Sequence, residues 1–143
     1  MIVFDEMGPM ELRLKGGRGW RMQGHPASVP ATYTRKNGTM QFLCAFNCHH
    51  GTFFGRLRRR KLSKNILSFF IELRWHYPAE QRMHKIMDNL SAHWTQDIVK
   101  WARGNRVTLV PTPADASWLN PIETHFNDMQ KIALSGTYFG SWD

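Results

Sequence analysis

Two periods of apolar residues alternate along this chain, and the points where one gives way to the other divide it into elements. Ile2-Val3-Phe4 is an unbroken apolar run, the pattern of a buried strand. It predicts a strand over residues 1–5 that ends on an acid, Asp5, with a turn at Met7-Gly8-Pro9. Residues 11–22 are rich in Gly and Arg and weakly patterned, which predicts a turn and an edge strand around Trp20. Residues 25–37 read as loop, with Pro26, Pro30 and an Asn37-Gly38 turn signal before the next strand. Residues 39–48 and 52–57 then form two strands of a hairpin about His49-His50-Gly51. The period changes to helical at Ser63, which can cap a helix running to about Tyr77. Ile66, Phe70, Leu73 and Tyr77 make one stripe of that helix, and Pro78 stops it. Lys85-Ile86-Met87-Asp88 is a second short apolar run ending on an acid. A helix over 95–103 turns Ile98, Trp101 and Ala102 inward and ends at Gly104. Residues 107–110 are a further buried strand, and 111–118 a loop. Last comes a helix opened by Asn120 as cap and Pro121 at its first position, with Ile122, Phe126, Met129 and Ala133 on one stripe.

Early hairpins followed by alternating strand and helix imply an α/β protein: a mixed sheet of about five strands with helices on both faces. Crossovers of the usual hand bring the C-terminal ends of the Asp5 and Asp88 strands to one edge. A chain of 143 residues is long enough for one real core and not for two. Hydrophobic content of 42% and aromatic content of 13% exclude a disordered chain. No apolar run approaches the ~18 residues of a membrane span and no signal segment opens the chain, so the expectation is a soluble, intracellular protein without a membrane partner.

Charge narrows the partner. Nineteen Lys and Arg against eleven Asp and Glu leave +8, which points to a polyanion, most often nucleic acid. The surplus is concentrated in Arg56, Arg58, Arg59, Arg60, Lys61 and Lys64, a run suited to neutralising phosphates. Cys44 and Cys48 share a strand face roughly 13 Å apart, too far for a disulfide. Their spacing to His49 and His50 matches no usual zinc module, so they read as strand cysteines.

Few acids exist, and two of them, Asp5 and Asp88, end apolar strands. A third, Glu123, opens the last helix, whose positive dipole end favours its ionised form by about 0.3–1 kcal/mol. Three carboxylates converging on one sheet edge are what hard divalent cations require. Two such ions ~3.5–4 Å apart can activate a water on one side of a phosphodiester and stabilise the leaving oxygen on the other. Glu6 adjoins Asp5 but points to the opposite face of a strand, so only one of the pair can belong to this site, and Asp5 is the choice. Asp115 reads as a turn former and Asp97 as a helix-dipole partner. Trp20, Trp94 and Trp101 read as packing, and Trp118, beside Glu123, as a residue to test for base stacking.

These residues resemble the acidic triad of transposases in the mariner superfamily, specifically its bacterial insertion-sequence branch. Asp88 and Glu123 are separated by 34 residues, the spacing of that superfamily. Asp88-Asn89-Leu90-Ser91-Ala92-His93 resembles its Asp-Asn-x-x-x-His block, and Leu119-Asn120-Pro121-Ile122-Glu123 its Leu-Asn-Pro-Ile-Glu block. Phe4-Asp5-Glu6, with Gly19-Trp20-Arg21 and Gly24, resembles the first-acid strand and the segment after it. The resemblance implies a ribonuclease-H-like fold and a catalytic triad of Asp5, Asp88 and Glu123 holding Mg2+ or Mn2+, two ions in all, with Asp88 near both. The implied reaction is hydrolysis of DNA at transposon ends, followed by attack of the freed 3′-hydroxyl on target DNA. The implied partners are double-stranded DNA and a second copy of the chain, and the implied place is the bacterial cytoplasm, on the nucleoid. His93 and Asn89 are placed to orient a phosphate or a water, with capping or packing the other role open to His93.

Such transposases carry helix-turn-helix domains before the catalytic domain. The expectation here is a single catalytic domain over 1–143 with those domains absent. The competing expectation is a non-catalytic DNA-binding or dimerising remnant of a truncated transposase; a ribonuclease is a third and weaker one. Glu123 also faces a conflict, because a Glu at the third helical position can fold back on the cap's N–H. Without metal it is expected to lean toward the cap.

Overall fold

The strand begun by Ile2-Val3-Phe4 is the centre of the molecule. The computed structural model describes residues 1–11, 22–25, 38–114 and 116–131. The edge strand expected around Trp20, most of the loop over 25–37, Asp115 and Ala133 lie outside the described residues. Strands β1 (Ile2–Glu11), β2 (Thr39–Asn47) and β3 (Thr52–Arg58) precede helix α1 (Ser63–Arg74). Strand β4 (Met83–Met87), helix α2 (Gln96–Gly104), strand β5 (Val107–Pro111) and helix α3 (Ile122–Met129) follow. The five strands form one sheet in the order β3-β2-β1-β4-β5. β2 runs antiparallel to both β1 and β3, while β4 and β5 run parallel to β1. This is the mixed α/β sheet expected from the sequence.

Alternation along β1 sorts the core into two layers. Ile2 and Phe4 point to the face covered by α1 and α2, where they join Leu43, Ile66, Met87 and Ile98. Phe4 packs edge-on to Phe70, with ring centroids 4.8 Å apart. Val3 and Met7 point to the other face, against Cys44 and the α3 residues Ile122 and Phe126. Asp5 and Glu6 continue the same alternation onto opposite faces.

Some boundaries differ from those expected. β1 does not stop at Asp5 but runs on to Glu11 along β2, and Gly8-Pro9 lies within it. Met7 pairs with Phe42 and Met10 with Met40, so β1 carries one residue more than β2 over this stretch. Such a bulge is where a sheet tolerates a proline that has no N–H to give. α1 stops at Arg74 rather than Tyr77, and Ser63 is its first residue rather than its cap. The buried Arg74 guanidinium donates to the carbonyls of Tyr77, Pro78, Ala79, Gln81 and Asn105, so the chain wraps a cation instead of extending the helix. After α2 the left-handed residue is Arg106, at φ 56°, rather than Gly104.

Lys85 on β4 is fully buried, with Nζ 3.2 Å from the Phe70 ring centroid and no hydrogen-bond partner among the described residues. Burial pushes its pKa well below the usual lysine value. The Phe70 ring face favours the cation, and desolvation opposes it with the larger effect. No helix among the described residues is long and apolar enough to cross a membrane.

Candidate active site

Register brings the first two acids together. Ile2 is opposite Lys85 and Val3 opposite Ile86, so the same register sets Asp5 level with Asp88, one step past the end of β4. β1 continues beyond that point on its β2 side only, which leaves the β4 side of Asp5 open. The Asp5 carboxyl accepts the Glu6 N–H at Oδ1, 2.8 Å away, and its Oδ2 lies 3.5 Å from Asn120 Nδ2. Its pKa is raised from 3.8 to about 6. Burial is the largest cause; the Glu6 N–H works against it, and the negative charges of Glu6, Asp88 and Glu123 add to the rise. Asp5 therefore senses both of the other acids expected at this edge.

Asp88 is held by its surroundings. Its backbone carbonyl accepts the Trp94 indole N–H at 2.9 Å, and its Oδ1 accepts the Leu90 N–H at 3.1 Å. The same Oδ1 lies 2.6 Å from His93 Nδ1, an ion-pair contact rather than an aligned hydrogen bond. Glu123 sits in the first turn of α3, exposed, and its carboxylate makes no hydrogen bond or ion pair among the described residues. It does not fold back onto the cap as expected.

What fixes Glu123 is Asn120, which is only 2% exposed. Its Oδ1 accepts the Ile122 N–H at 3.3 Å, the bond expected of a cap, although the helix itself starts one residue later than expected. Its Nδ2 donates to the Phe4 carbonyl at 3.0 Å. One buried amide thus ties the start of the Glu123 helix to the strand residue before Asp5.

Two further expected site residues have other partners. Asn89 donates its amide to the Thr112 carbonyl at 2.9 Å, bracing the ends of β4 and β5. His93 is fully buried and touches no solvent, so it is not placed to meet a phosphate or a free water. Its Nε2 hydrogen-bonds Glu6 Oε1 at 2.6 Å. Burial lowers the His93 pKa, but the Glu6 hydrogen bond and the charges of Glu6 and Asp88 outweigh it and leave a net rise. Glu6, set aside in the sequence because it faces away from Asp5, is thus joined to Asp88 through a histidine on the opposite face. The alternation of β1 gave its direction; nothing local gave its partner.

Among the described residues no three His, Cys, Asp or Glu side chains form a closed set around one ion. The donors at this edge are nevertheless all oxygens, with Glu123 free of other described partners and Asp5 carrying a pKa raised by burial and, beyond that, by the negative charges of Glu6, Asp88 and Glu123. That set fits a hard dication that keeps several waters and completes its shell with substrate phosphates.

The basic run divides in two. Arg56 Nε lies 2.8 Å from Glu72 Oε2 and Arg58 Nη2 lies 2.6 Å from Glu72 Oε1, so one acid engages both. Arg59, Arg60, Lys61 and Lys64 are exposed and make no ion pair among the described residues. β3 runs in the same direction as β1, and Arg58 pairs with Gln41, past the level of Asp5. Arg59, Arg60 and Lys61 therefore follow the end of β3 that points to the acidic edge, on a strand two places or roughly 10 Å across from β1, and Lys64 follows them in the first turn of α1. Trp118 is 72% exposed in the turn before Glu123.

A family model for the DDE superfamily endonuclease matches residues 1–143. The chain is a member of the DDE superfamily endonucleases. Solved structures agree with the fold of such a domain. Mos1 transposase in a paired-end complex with the left transposon end is 18% identical at a TM-score of 0.72, covering 99% of this chain and 44% of that one. The Mos1 mariner paired-end complex with Mn is 17% identical at 0.71, covering 99% and 44%. The simian T-cell lymphotropic virus intasome, in complex with a PP2A regulatory subunit, is 14% identical at 0.59, covering 87% and 45%. No curated protein matches the chain in sequence. The DDE domain therefore has the ribonuclease-H-like fold, and it spans less than half the length of the Mos1 chains it resembles.

Proposed function

We propose that this DDE endonuclease domain is the catalytic domain of a mariner-superfamily transposase of the bacterial insertion-sequence branch. It cleaves DNA phosphodiester bonds at transposon ends and joins the freed 3′-hydroxyl to target DNA, in the cytoplasm on the nucleoid, as a homodimer. The observation that carries this reading is geometric: the β1–β4 register sets Asp5 level with Asp88, and Asn120 ties the start of the Glu123 helix to the residue before Asp5. Asp5, Asp88 and Glu123 are the residues that would hold Mg2+ or Mn2+, two ions in all, which when bound would supply water activation and charge stabilisation at the leaving oxygen. Solved Mos1 structures include paired-end complexes with Mn and with Mg, which supports the same choice here.

The remaining work falls to the protein. β1 and β4 fix Asp5 and Asp88 on rigid neighbouring strands, and Asn120 sets where the Glu123 carboxylate enters. The exposed cations after β3 neutralise backbone phosphates beside the acids. Positioning of this kind accounts for much of catalysis in phosphoryl transfer, where little covalent chemistry is left to side chains.

The test is nicking of transposon-end DNA with Mg2+ or Mn2+ by the wild-type chain, Asp88→Asn and Glu123→Gln. Each substitution is expected to slow nicking by about 10²–10⁴-fold, the equivalent of roughly 3–5 kcal/mol of lost charge stabilisation. Equal rates for all three proteins would overturn the assignment.

A further inference from the structure

Glu6 and His93 join two faces of the sheet that the acid cluster alone does not connect. His93 is completely buried and the Glu6 side chain is 3% exposed, so neither touches substrate. The imidazole is fixed on three sides. Phe4 packs edge-on at 5.3 Å between centroids, Glu6 Oε1 holds Nε2 at 2.6 Å, and Nδ1 stands 2.6 Å from Asp88 Oδ1. The Leu90 N–H meets that same oxygen. One carboxylate oxygen of Asp88 is thus occupied from behind, while the side chain is 41% exposed and its other oxygen has no hydrogen bond or ion pair among the described residues.

We propose that Glu6 and His93 are positioning residues for Asp88: Glu6 fixes the imidazole, and the imidazole fixes Asp88 Oδ1, so that Oδ2 is the oxygen presented to a divalent cation. This rests on the proposed metal site. Polar partners behind a metal ligand set its orientation, and their removal typically costs about 10–100-fold in metal affinity. The arrangement also gives Glu6 a role next to Asp5 that needs no place at the metal.

The experiment titrates the full chain with Mn2+ alone and reads free Mn2+ by electron paramagnetic resonance, with urea unfolding run in parallel. The variants are Glu6→Met, His93→Phe, the double variant and Asp88→Asn. Glu6→Met and His93→Phe are each expected to weaken Mn2+ binding about 10-fold or more, and the double variant no further than the worse single. Two groups acting through one chain of contacts do not add. The double variant replaces both buried polar partners by apolar side chains of similar size, which restores stability relative to the singles. Metal affinity is expected to stay low while stability recovers, and a merely structural role would make the two recover together. Mn2+ binding at wild-type affinity in Glu6→Met, with Asp88→Asn defective, would overturn the positioning role and leave the metal site standing. Wild-type affinity in Asp88→Asn would overturn the metal site and this inference with it.

Discussion

Asp5 carries a cost that the fold bears in order to keep the acid cluster. Its pKa rises from 3.8 to about 6 on folding, so between those values the native chain holds a proton that the unfolded chain has lost. Stability from this group is complete below about pH 4 and is lost as pH rises through about 6. Each tenfold change in proton affinity is worth about 1.4 kcal/mol, and allowance for a partly compact unfolded chain puts the loss at about 1–3 kcal/mol. Asp5→Asn keeps an oxygen for the Glu6 N–H and removes the charge. In metal-free buffer the variant is expected to be more stable than wild type by about that amount at pH 7.5 and by little at pH 4, while losing nicking activity. Urea unfolding at the two pH values measures this, and an Asn variant that gains nothing between them would show that burial and the neighbouring acids do not raise the Asp5 pKa. On the proposed function, this is stability given up for a metal-binding acid. Asp5 was legible from sequence because it ends an apolar run, and Asp88 for the same reason. The Glu6–His93 bond was not, because it joins residues 87 positions apart. Strand alternation says which way Glu6 points; it cannot say that a histidine from the turn after β4 will be there.

At the scale of elements, the last helix matters through its first contact rather than its length. The signal Asn120-Pro121 located the helix start to within a residue, since capping chemistry is local. The Asn120 bond to the Phe4 carbonyl spans 116 positions and depends on how α3 packs over β1, so it was out of reach of pattern reading. The same limit explains β1 itself. Gly8-Pro9 reads as a turn in isolation, yet pairing with β2 holds the strand through it as a bulge. Asn120→Ala would leave the Phe4 carbonyl and the Ile122 N–H buried without partners. The expected loss is about 2–3 kcal/mol of unfolding free energy, together with reduced nicking because Glu123 loses its anchor. Trp118→Ala, in the same turn but exposed, is expected to change stability by less than about 0.5 kcal/mol. Asn120→Asp separates the two roles of the amide, since it keeps the cap acceptor, loses the donation to the Phe4 carbonyl, and adds a charge beside Asp5. It is expected to unfold more easily at pH 7.5 than at pH 4, relative to wild type. A variant as stable as wild type at both values would mean that packing alone holds α3.

Over the whole molecule, the net charge of +8 is less available to DNA than the sequence implies. Arg74 is buried among carbonyls, Lys85 is fully buried with its pKa pushed down by burial, and Arg56 and Arg58 are bound to Glu72. Counting basic residues could not foresee this, because Glu72 lies on α1 and reaches the strand only through the packing of helix on sheet. Among the described residues, the unpaired cations at the acidic edge are Arg59, Arg60 and Lys61, exposed between β3 and α1, and Lys64, exposed in the first turn of α1. Each phosphate contact steepens the dependence of log K on log salt by about 0.9, so removing up to four contacts flattens it by up to roughly 3.6. Replacing these four by Ala is therefore expected to weaken DNA binding strongly at low salt and little at high salt, with folding unchanged. Replacing Arg56 and Arg58 is expected to flatten the slope far less, because Glu72 already compensates them. Fluorescence anisotropy with a labelled duplex across a salt series reads both slopes. The same series run on scrambled DNA is expected to give nearly the same affinity, since phosphate contacts carry no sequence information. Equal slopes for the two sets of variants would place the DNA on a different face of the sheet. A sharp preference for one transposon end would show base-reading groups in addition to these cations.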